Sequence, residues 1–159
     1  MTPPGGQREV LDWATYGVAA RELARQVADA GYRPDLVLGI ARGGLVAATS
    51  VAYALSVKNL FTMNVEFYTG VDERLPVPIV LPPVPDVVDL AGARVLVVDD
   101  VADTGRTLEL VLRFCAGHVA EARSAALYEK PGSVVRCDWV WRRTDRWIEF
   151  PWSAEEPLA

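Results

Sequence analysis

Apolar runs alternate along this chain with segments whose apolar positions recur at helical spacing. Two runs, Asp35 to Ala41 (DLVLGIA) and Val95 to Val98, are unbroken and largely aliphatic, which is typical of strands buried on both faces of a parallel sheet. Helical spacing extends from Glu9 to Ala30 and from Leu45 to Leu55, and a further amphipathic run begins at Leu108. Each buried run is followed by a short loop and then a helix, so the pattern predicts an α/β fold.

Other segments complete the predicted layout of one domain over residues 1–159. Residues 1–8 are expected to form a loose tail. Aromatic and branched residues predict strands from Val57 to Tyr68 and from Ala120 to Glu129, with a short β-like piece from Asp138 to Trp141. Five prolines fall within residues 70–90, and they argue against a helix or a central strand there. A surface loop or an irregular hairpin is expected instead.

Composition excludes several classes of function. The net charge of −5 argues against nonspecific nucleic-acid binding, which depends on a basic surface. No apolar run reaches about 18 residues, and the N-terminus has no apolar signal region, so no membrane association and a cytoplasmic location are expected. The two cysteines, Cys115 and Cys137, are expected to be reduced and packed, and with a single histidine they do not suggest a metal cluster.

Candidate chemistry is concentrated in the segment from Arg94 to Leu108, RVLVVDDVADTGRTL. Asp99 and Asp100 follow the buried run, at the end of a strand where open α/β sheets bind ligands. The small residues from Thr104 to Thr107 precede a helix, whose free N–H groups and dipole favour an anion. We therefore expect a phosphate cradle beside an acidic pair that faces sugar hydroxyls or a divalent cation. Asp103 could instead be an ordinary helix cap.

The other buried strand ends in a similar strand-loop-helix unit. Arg42, Gly43 and Gly44 follow the strand, and the two glycines permit a close approach of the backbone. The guanidinium group of Arg42 offers a planar positive fork that suits a diphosphate. An Arg-Gly-Gly sequence before a helix is by itself equally compatible with a plain turn.

The Arg94 to Leu108 segment resembles the phosphoribosyl-pyrophosphate (PRPP) motif of the type I phosphoribosyltransferases. The resemblance implies a mostly parallel central sheet flanked by helices, a small hood at the carboxyl ends of the strands, and a flexible lid over 68–90. It implies that ARGGL is the pyrophosphate loop and that Asp100 holds Mg²⁺. Contacts of Arg74 or Lys58 with pyrophosphate are left open. The implied PRPP-binding residues are Arg42, Gly43, Asp99, Asp100, Asp103, Thr104, Gly105, Arg106 and Thr107.

The C-terminal segment, KPG…DWVWRRTDRWIEFPW, resembles the hood of the purine branch, particularly the bacterial xanthine/guanine enzymes. The resemblance runs from about Trp13 to Trp152, apart from the proline-rich interval, with the hood over about 130–152. It implies that Lys130 binds the purine 6-oxo group, that Trp147 stacks on the ring and that the Ile148 backbone reads its edge. Trp152 is expected to pack against the core. Ser153 departs from the aspartate usual in that group, so the preferred base is left open.

The implied reaction transfers the phosphoribosyl group of PRPP to hypoxanthine, guanine or xanthine, with Asp103 as general base. The implied partners are PRPP and a purine base, without nucleic acid or membrane, in a homodimer or homotetramer. Three alternatives remain at this point. The first is transfer to orotate, uracil or adenine; the second is a PRPP-sensing regulator that binds nucleic acid; the third is an inactive relative of the enzymes.

Overall fold

The computed structural model describes residues 6–68, 77–81 and 90–159, with backbone placement alone for 66–68 and 77–81. Most of the predicted lid over 68–90, including Arg74, lies outside the described residues, as do residues 1–5 of the predicted tail. Among the described residues, no helix combines the length and the apolar character that crossing a membrane requires.

Eight strands and three helices are described, followed by a short 3₁₀ helix over Pro151–Ser153. In chain order they are β1 (Arg8–Val10), α1 (Trp13–Asp29), β2 (Leu36–Ala41), α2 (Gly43–Ala54), β3 (Leu60–Tyr68), β4 (Val77–Leu81), β5 (Arg94–Ala102), α3 (Arg106–Ala116), β6 (Glu121–Glu129), β7 (Trp139–Arg143) and β8 (Trp147–Glu149).

Six of these strands form the central sheet, in the order β4-β3-β2-β5-β6-β7. Strands β3, β2, β5, β6 and β7 run parallel to one another. Strand β4 pairs with β3 in the antiparallel direction. The predicted α/β fold with a mostly parallel sheet is therefore confirmed. Strands β2 and β5 lie in the middle, and the apolar residues that predicted them are buried on both faces.

Two buried clusters cover the two faces of the sheet. The first joins α1 and α2 to one face and includes Leu23, Val51 and Leu96. The second joins α3 to the other face and includes Val97, Leu108 and Val111. Helices on both faces leave the strand ends as the exposed rim of the sheet, which is where open α/β folds place their sites.

The prediction of a helix beginning at Glu9 is wrong. Residues Arg8–Val10 form β1, which pairs in parallel with β8, and α1 begins only after Asp12. The Asp12 carboxylate accepts a hydrogen bond from the Thr15 N–H at 2.7 Å, so the helix has a side-chain cap at that position. Pairing with a strand near the end of the chain therefore overrides the helical spacing of residues 9–12.

The remaining differences concern strands at the sheet edge. Strand β4 lies within the proline-rich segment, and its edge position is one where a proline such as Pro78 is tolerated. It forms a hairpin with β3, which was one of the two predicted outcomes for that segment. The predicted hood segment, 130–152, is divided between two sheets, because β7 joins the central sheet and β8 pairs with β1.

Candidate active site

A cavity of about 930 Å³ opens at the carboxyl ends of β2 and β5. It is lined by most of the residues that the sequence assigns to PRPP. These are Arg42, Gly43, Asp99, Asp100, Asp103, Thr104, Gly105 and Thr107. Arg106 is exposed and does not belong to the lining. Two segments that are far apart in the chain thus meet in one cleft, because β2 and β5 are neighbours in the sheet.

The acidic pair lies within β5, which continues beyond the apolar run to Ala102. The Asp100 N–H donates to Asp99 Oδ1 and the Val101 N–H donates to Asp100 Oδ1, each at 2.8 Å. Burial raises the pKa of Asp99 well above its usual value, and the charge of Asp100 raises it further. Burial also raises the pKa of Asp100. A cation or additional hydrogen-bond donors would stabilise the ionised forms of both groups.

The residues present fit a magnesium ion held in part by a ligand. Asp99 and Asp100 line the cavity, and Mg²⁺ prefers oxygen ligands such as carboxylates. Among the described residues, no group of three or more His, Cys, Asp or Glu side chains is arranged to hold a metal alone. Mg²⁺ usually combines one or two carboxylates with water and substrate phosphates, so this donor set is sufficient for it.

The first turn of α2, which follows β2 after Arg42, packs directly against the acidic pair. A Cβ atom at Gly44 would lie 2.7 Å from Asp99 Oδ1 and 3.0 Å from the Val98 carbonyl oxygen. A Cβ atom at Gly43 would overlap the Asp100 carboxylate. Both glycines are therefore required for the close approach of the first turn of α2 to β5. Among the described residues that line the cavity, Arg42 is the single cation.

The loop between β5 and α3 carries Asp103, Thr104 and Gly105. Gly105 has φ +79°, a left-handed conformation that other residues adopt only with strain, and it is the residue immediately before α3. Asp103 and Thr104 are exposed at the cavity, and the Arg106 N–H contacts Thr104 Oγ1 at 3.4 Å. The helix therefore begins at the cavity with its N–H groups at the end that favours an anion.

The three predicted base-binding residues lie outside this lining. Lys130 Nζ donates a hydrogen bond to the Arg146 carbonyl oxygen. Trp147 is 49% exposed, and Ile148 is buried in the core. As far as the described residues go, none of the three lines the cavity, so their assignment stays a prediction.

Other side chains line the cavity without having been assigned to the site. Phe150 and Trp152 stack with ring centroids 4.8 Å apart and an interplanar angle of 13°. Trp152 also packs against Trp13 and Tyr16, so the packing role predicted for it is confirmed, although it contributes to the cavity as well. The aromatic residues of the WIEFPW run were the sequence feature that could have indicated an aromatic wall in this cavity.

The residues after the 3₁₀ helix complete the lining. Glu155 and Glu156 both lie at the cavity and add two carboxylates to those of the acidic pair and Asp103. No motif in the sequence marks them, because an acidic pair near the end of a chain usually belongs to the solvated surface. Among the described residues that line the cavity, carboxylates therefore outnumber cations.

Comparison with known proteins agrees with this geometry. Residues 6–157 match the model of the phosphoribosyl transferase domain. The chain belongs to the phosphoribosyltransferase family. This confirms the resemblance and the enzyme class predicted from the PRPP motif. The match extends over almost the whole chain and includes all the residues that line the cavity except Leu158.

Named relatives of this phosphoribosyltransferase include two xanthine-guanine phosphoribosyltransferases. That of Cereibacter sphaeroides is 36% identical over 118 residues, covering 73% of this chain and 67% of the relative. That of Idiomarina loihiensis is 31% identical over 155 residues, covering 94% and 91%. A solved purine phosphoribosyltransferase from Pyrococcus horikoshii superimposes with a TM-score of 0.83 at 36% identity, covering 96% of this chain and 97% of the other.

Proposed function

We propose that this phosphoribosyltransferase transfers the 5-phosphoribosyl group of PRPP to a 6-oxopurine, namely hypoxanthine, guanine or xanthine. The products are a nucleoside 5′-monophosphate and pyrophosphate, as in purine salvage. The observation that carries the proposal is the convergence of the Arg42-Gly43 loop, the acidic pair and the 103–107 loop on one cavity. The names of relatives at 31–36% identity support a purine as the acceptor.

The 5′-phosphate is assigned to the loop from Asp103 to Thr107. Gly105 allows the chain to turn there, and the first turn of α3 presents N–H groups that are not used within the helix. The hydroxyl groups of Thr104 and Thr107 add further donors. Binding at this point places the ribose beside the carboxyl end of β5, where Asp99 and Asp100 can accept hydrogen bonds from its hydroxyls.

The diphosphate is assigned to the Arg42-Gly43 loop. The guanidinium group stabilises the negative charge that develops on the leaving pyrophosphate. When bound, Mg²⁺ would supply additional charge stabilisation at the diphosphate, and Asp100, with Asp99 adjacent, would hold it. Arg42 contributes only one positive charge, so the charge of Mg²⁺ would be needed to offset the negative charge of the carboxylates in the cavity.

The acceptor nitrogen of the purine must lose a proton as it bonds to the ribose. Asp103 lines the cavity at the start of the phosphate loop and is exposed, so its carboxylate is accessible to a bound base. We assign it the role of general base. Lys130, Trp147 and Ile148 remain the proposed base-binding residues, and Phe150 and Trp152 form an aromatic wall of the cavity itself.

A panel of bases tests the proposal. Purified protein with PRPP and Mg²⁺ should release pyrophosphate in the presence of a 6-oxopurine and much less with adenine, orotate or uracil. Arg42→Ala should raise the KM for PRPP, whereas Asp29→Asn, at the end of α1 and outside the cavity, should leave it unchanged. Equal release with orotate or uracil, or no release with any base, would contradict the proposal.

Two further features also belong to the proposal. The first is assembly as a homodimer or homotetramer, which light scattering on the purified protein would test. The second is a cytoplasmic location, which fractionation of producing cells would test. A monomer at assay concentrations, or recovery with the membrane fraction, would contradict them.

A further inference from the structure

Glu129, the last residue of β6, is a fully buried carboxylate. Its Oε1 atom accepts a hydrogen bond from the Cys137 N–H at 2.7 Å. Its Oε2 atom accepts one from Arg143 Nε at 3.0 Å and lies 3.5 Å from Arg136 Nη1. Burying a carboxylate is costly unless it is paired and hydrogen-bonded, so these two donors and the Arg136 ion pair account for its presence.

The donors come from two segments that follow β6 in the chain. Arg136 and Cys137 belong to the connection between β6 and β7, and Arg143 is the last residue of β7. Burial acts to raise the pKa of Glu129, but the Cys137 N–H and the two guanidinium groups lower it overall, which favours the charged form. One charged group therefore joins both segments to the end of β6.

The first of these segments forms the back of the phosphate loop. The Lys130 N–H donates to the Ala102 carbonyl oxygen at 2.9 Å, and the Val134 N–H donates to the Thr104 carbonyl oxygen at 2.8 Å. The backbone nitrogen of Val134 lies 2.9 Å from the position that a Cβ atom at Gly105 would occupy. Backbone hydrogen bonds therefore fix the position of the 130–137 connection relative to the 103–107 loop.

The second segment leads from β7 to Trp147. The Thr144 N–H donates to the Glu129 carbonyl oxygen at 3.3 Å, and Lys130 Nζ donates to the Arg146 carbonyl oxygen. The short turn that precedes β8 is thus hydrogen-bonded to both Glu129 and Lys130. Lys130 directly follows Glu129, and Trp147 follows the 143–146 segment, in which Arg143 bonds to the Glu129 carboxylate and Thr144 to its backbone carbonyl.

We propose that Glu129 is a positioning residue, which fixes the 130–137 connection and the 143–147 turn so that the base-binding groups are aligned with the phosphate loop. This inference rests on the proposed function, because it concerns the placement of a purine relative to PRPP. The carboxylate acts through Lys130 and the Thr104 backbone and does not itself contact substrate.

Glu129→Gln is the primary test. The amide oxygen can still accept the Cys137 N–H, but the charge that holds Arg143 is lost. The KM for the purine should rise about tenfold, equivalent to about 1.4 kcal/mol. The KM for PRPP and the kcat should change less than threefold. Glu121→Gln is the matched control, since Glu121 begins the same strand and pairs with Arg123 at 2.8 Å, but its side chain is 40% exposed.

Arg143→Gln removes the partner and leaves the carboxylate in place. It should raise the purine KM in the same direction, and the double variant of Glu129→Gln with Arg143→Gln should show less than the product of the two single effects. If Glu129→Gln fails to fold, the Arg143→Gln result decides the question. A purely structural role would lower stability and raise both KM values together, which would overturn the proposal.

Amide hydrogen exchange gives a readout that does not depend on catalysis. In Glu129→Gln the Val134 and Cys137 amides should exchange faster, whereas amides of β5, such as that of Val97, should keep their wild-type rates. If the wild-type protein transfers no purine, the proposed function fails, but the exchange comparison still tests the anchoring by Glu129. Unchanged exchange at Val134 and Cys137 would refute that anchoring.

Discussion

Replacement of Gly105 by alanine tests the geometry of the phosphate loop. The residue has φ +79° and is buried against the 130–137 connection, with the backbone nitrogens of Val134 and Val135 at 2.9 and 3.0 Å from the site of a new Cβ atom. The Ser133 hydroxyl also overlaps that site, although a side chain can rotate away more easily than backbone can move. The substitution should therefore displace the loop as well as strain it.

Two costs contribute to the expected loss of stability. A residue with a side chain in the left-handed region costs about 1–2 kcal/mol, and overpacking against fixed atoms costs about 1–3 kcal/mol. Alanine also lowers the conformational entropy of the unfolded chain, which increases the free energy of unfolding by about 0.4–1 kcal/mol. The net decrease in the free energy of unfolding should be about 2–4 kcal/mol.

Urea unfolding followed by circular dichroism measures this change, and initial rates at varied PRPP show its effect on the loop. The KM for PRPP should rise in Gly105→Ala because the amides of the loop no longer align with the 5′-phosphate. Gly17→Ala is the matched control, since Gly17 lies within α1 with nothing within 4 Å of its added Cβ atom. It should stabilise the protein by about 0.5–1 kcal/mol. Wild-type stability and KM in Gly105→Ala would refute the reasoning.

Three other predictions follow from the site and the core. Asp103→Asn should preserve the fold and lower kcat by about 10²–10⁴, as expected for loss of a general base; unchanged turnover with PRPP and hypoxanthine would exclude that role. Trp147→Ala should raise the KM of the purine far more than that of PRPP, and equal effects would count against stacking. Burial raises the pKa of Cys115 to about 11 and that of Cys137 to about 12, so neither thiol should react with a chromogenic disulfide reagent at neutral pH until urea unfolds the protein. Rapid reaction of either thiol in the native protein would contradict their burial.

The sequence by itself determined the parts of this protein that depend on local pattern. The unbroken apolar runs predicted β2 and β5, because a strand covered on both faces needs apolar side chains at every position. The acidic pair and the Asp-Thr-Gly loop predicted the PRPP motif, because its residue types are contiguous. The family match confirms that reading.

Tertiary structure decided the features that depend on distant pairing. Arg8–Val10 forms a strand because β8 is available to it, and no local pattern reveals that partner. Glu155 and Glu156 reach the cavity because the chain turns after Trp152 toward the carboxyl ends of the strands. The sequence marks them only as polar.

Glu129 shows the same limit most clearly. At the end of a predicted strand a glutamate is expected at the surface, yet here it is fully buried. Its burial is possible only because Cys137, Arg136 and Arg143 surround it after β7 has paired with β6. Local sequence determines which residues can form a strand or bind a phosphate, but the balance between desolvation and pairing of a charge is settled only when separate segments meet.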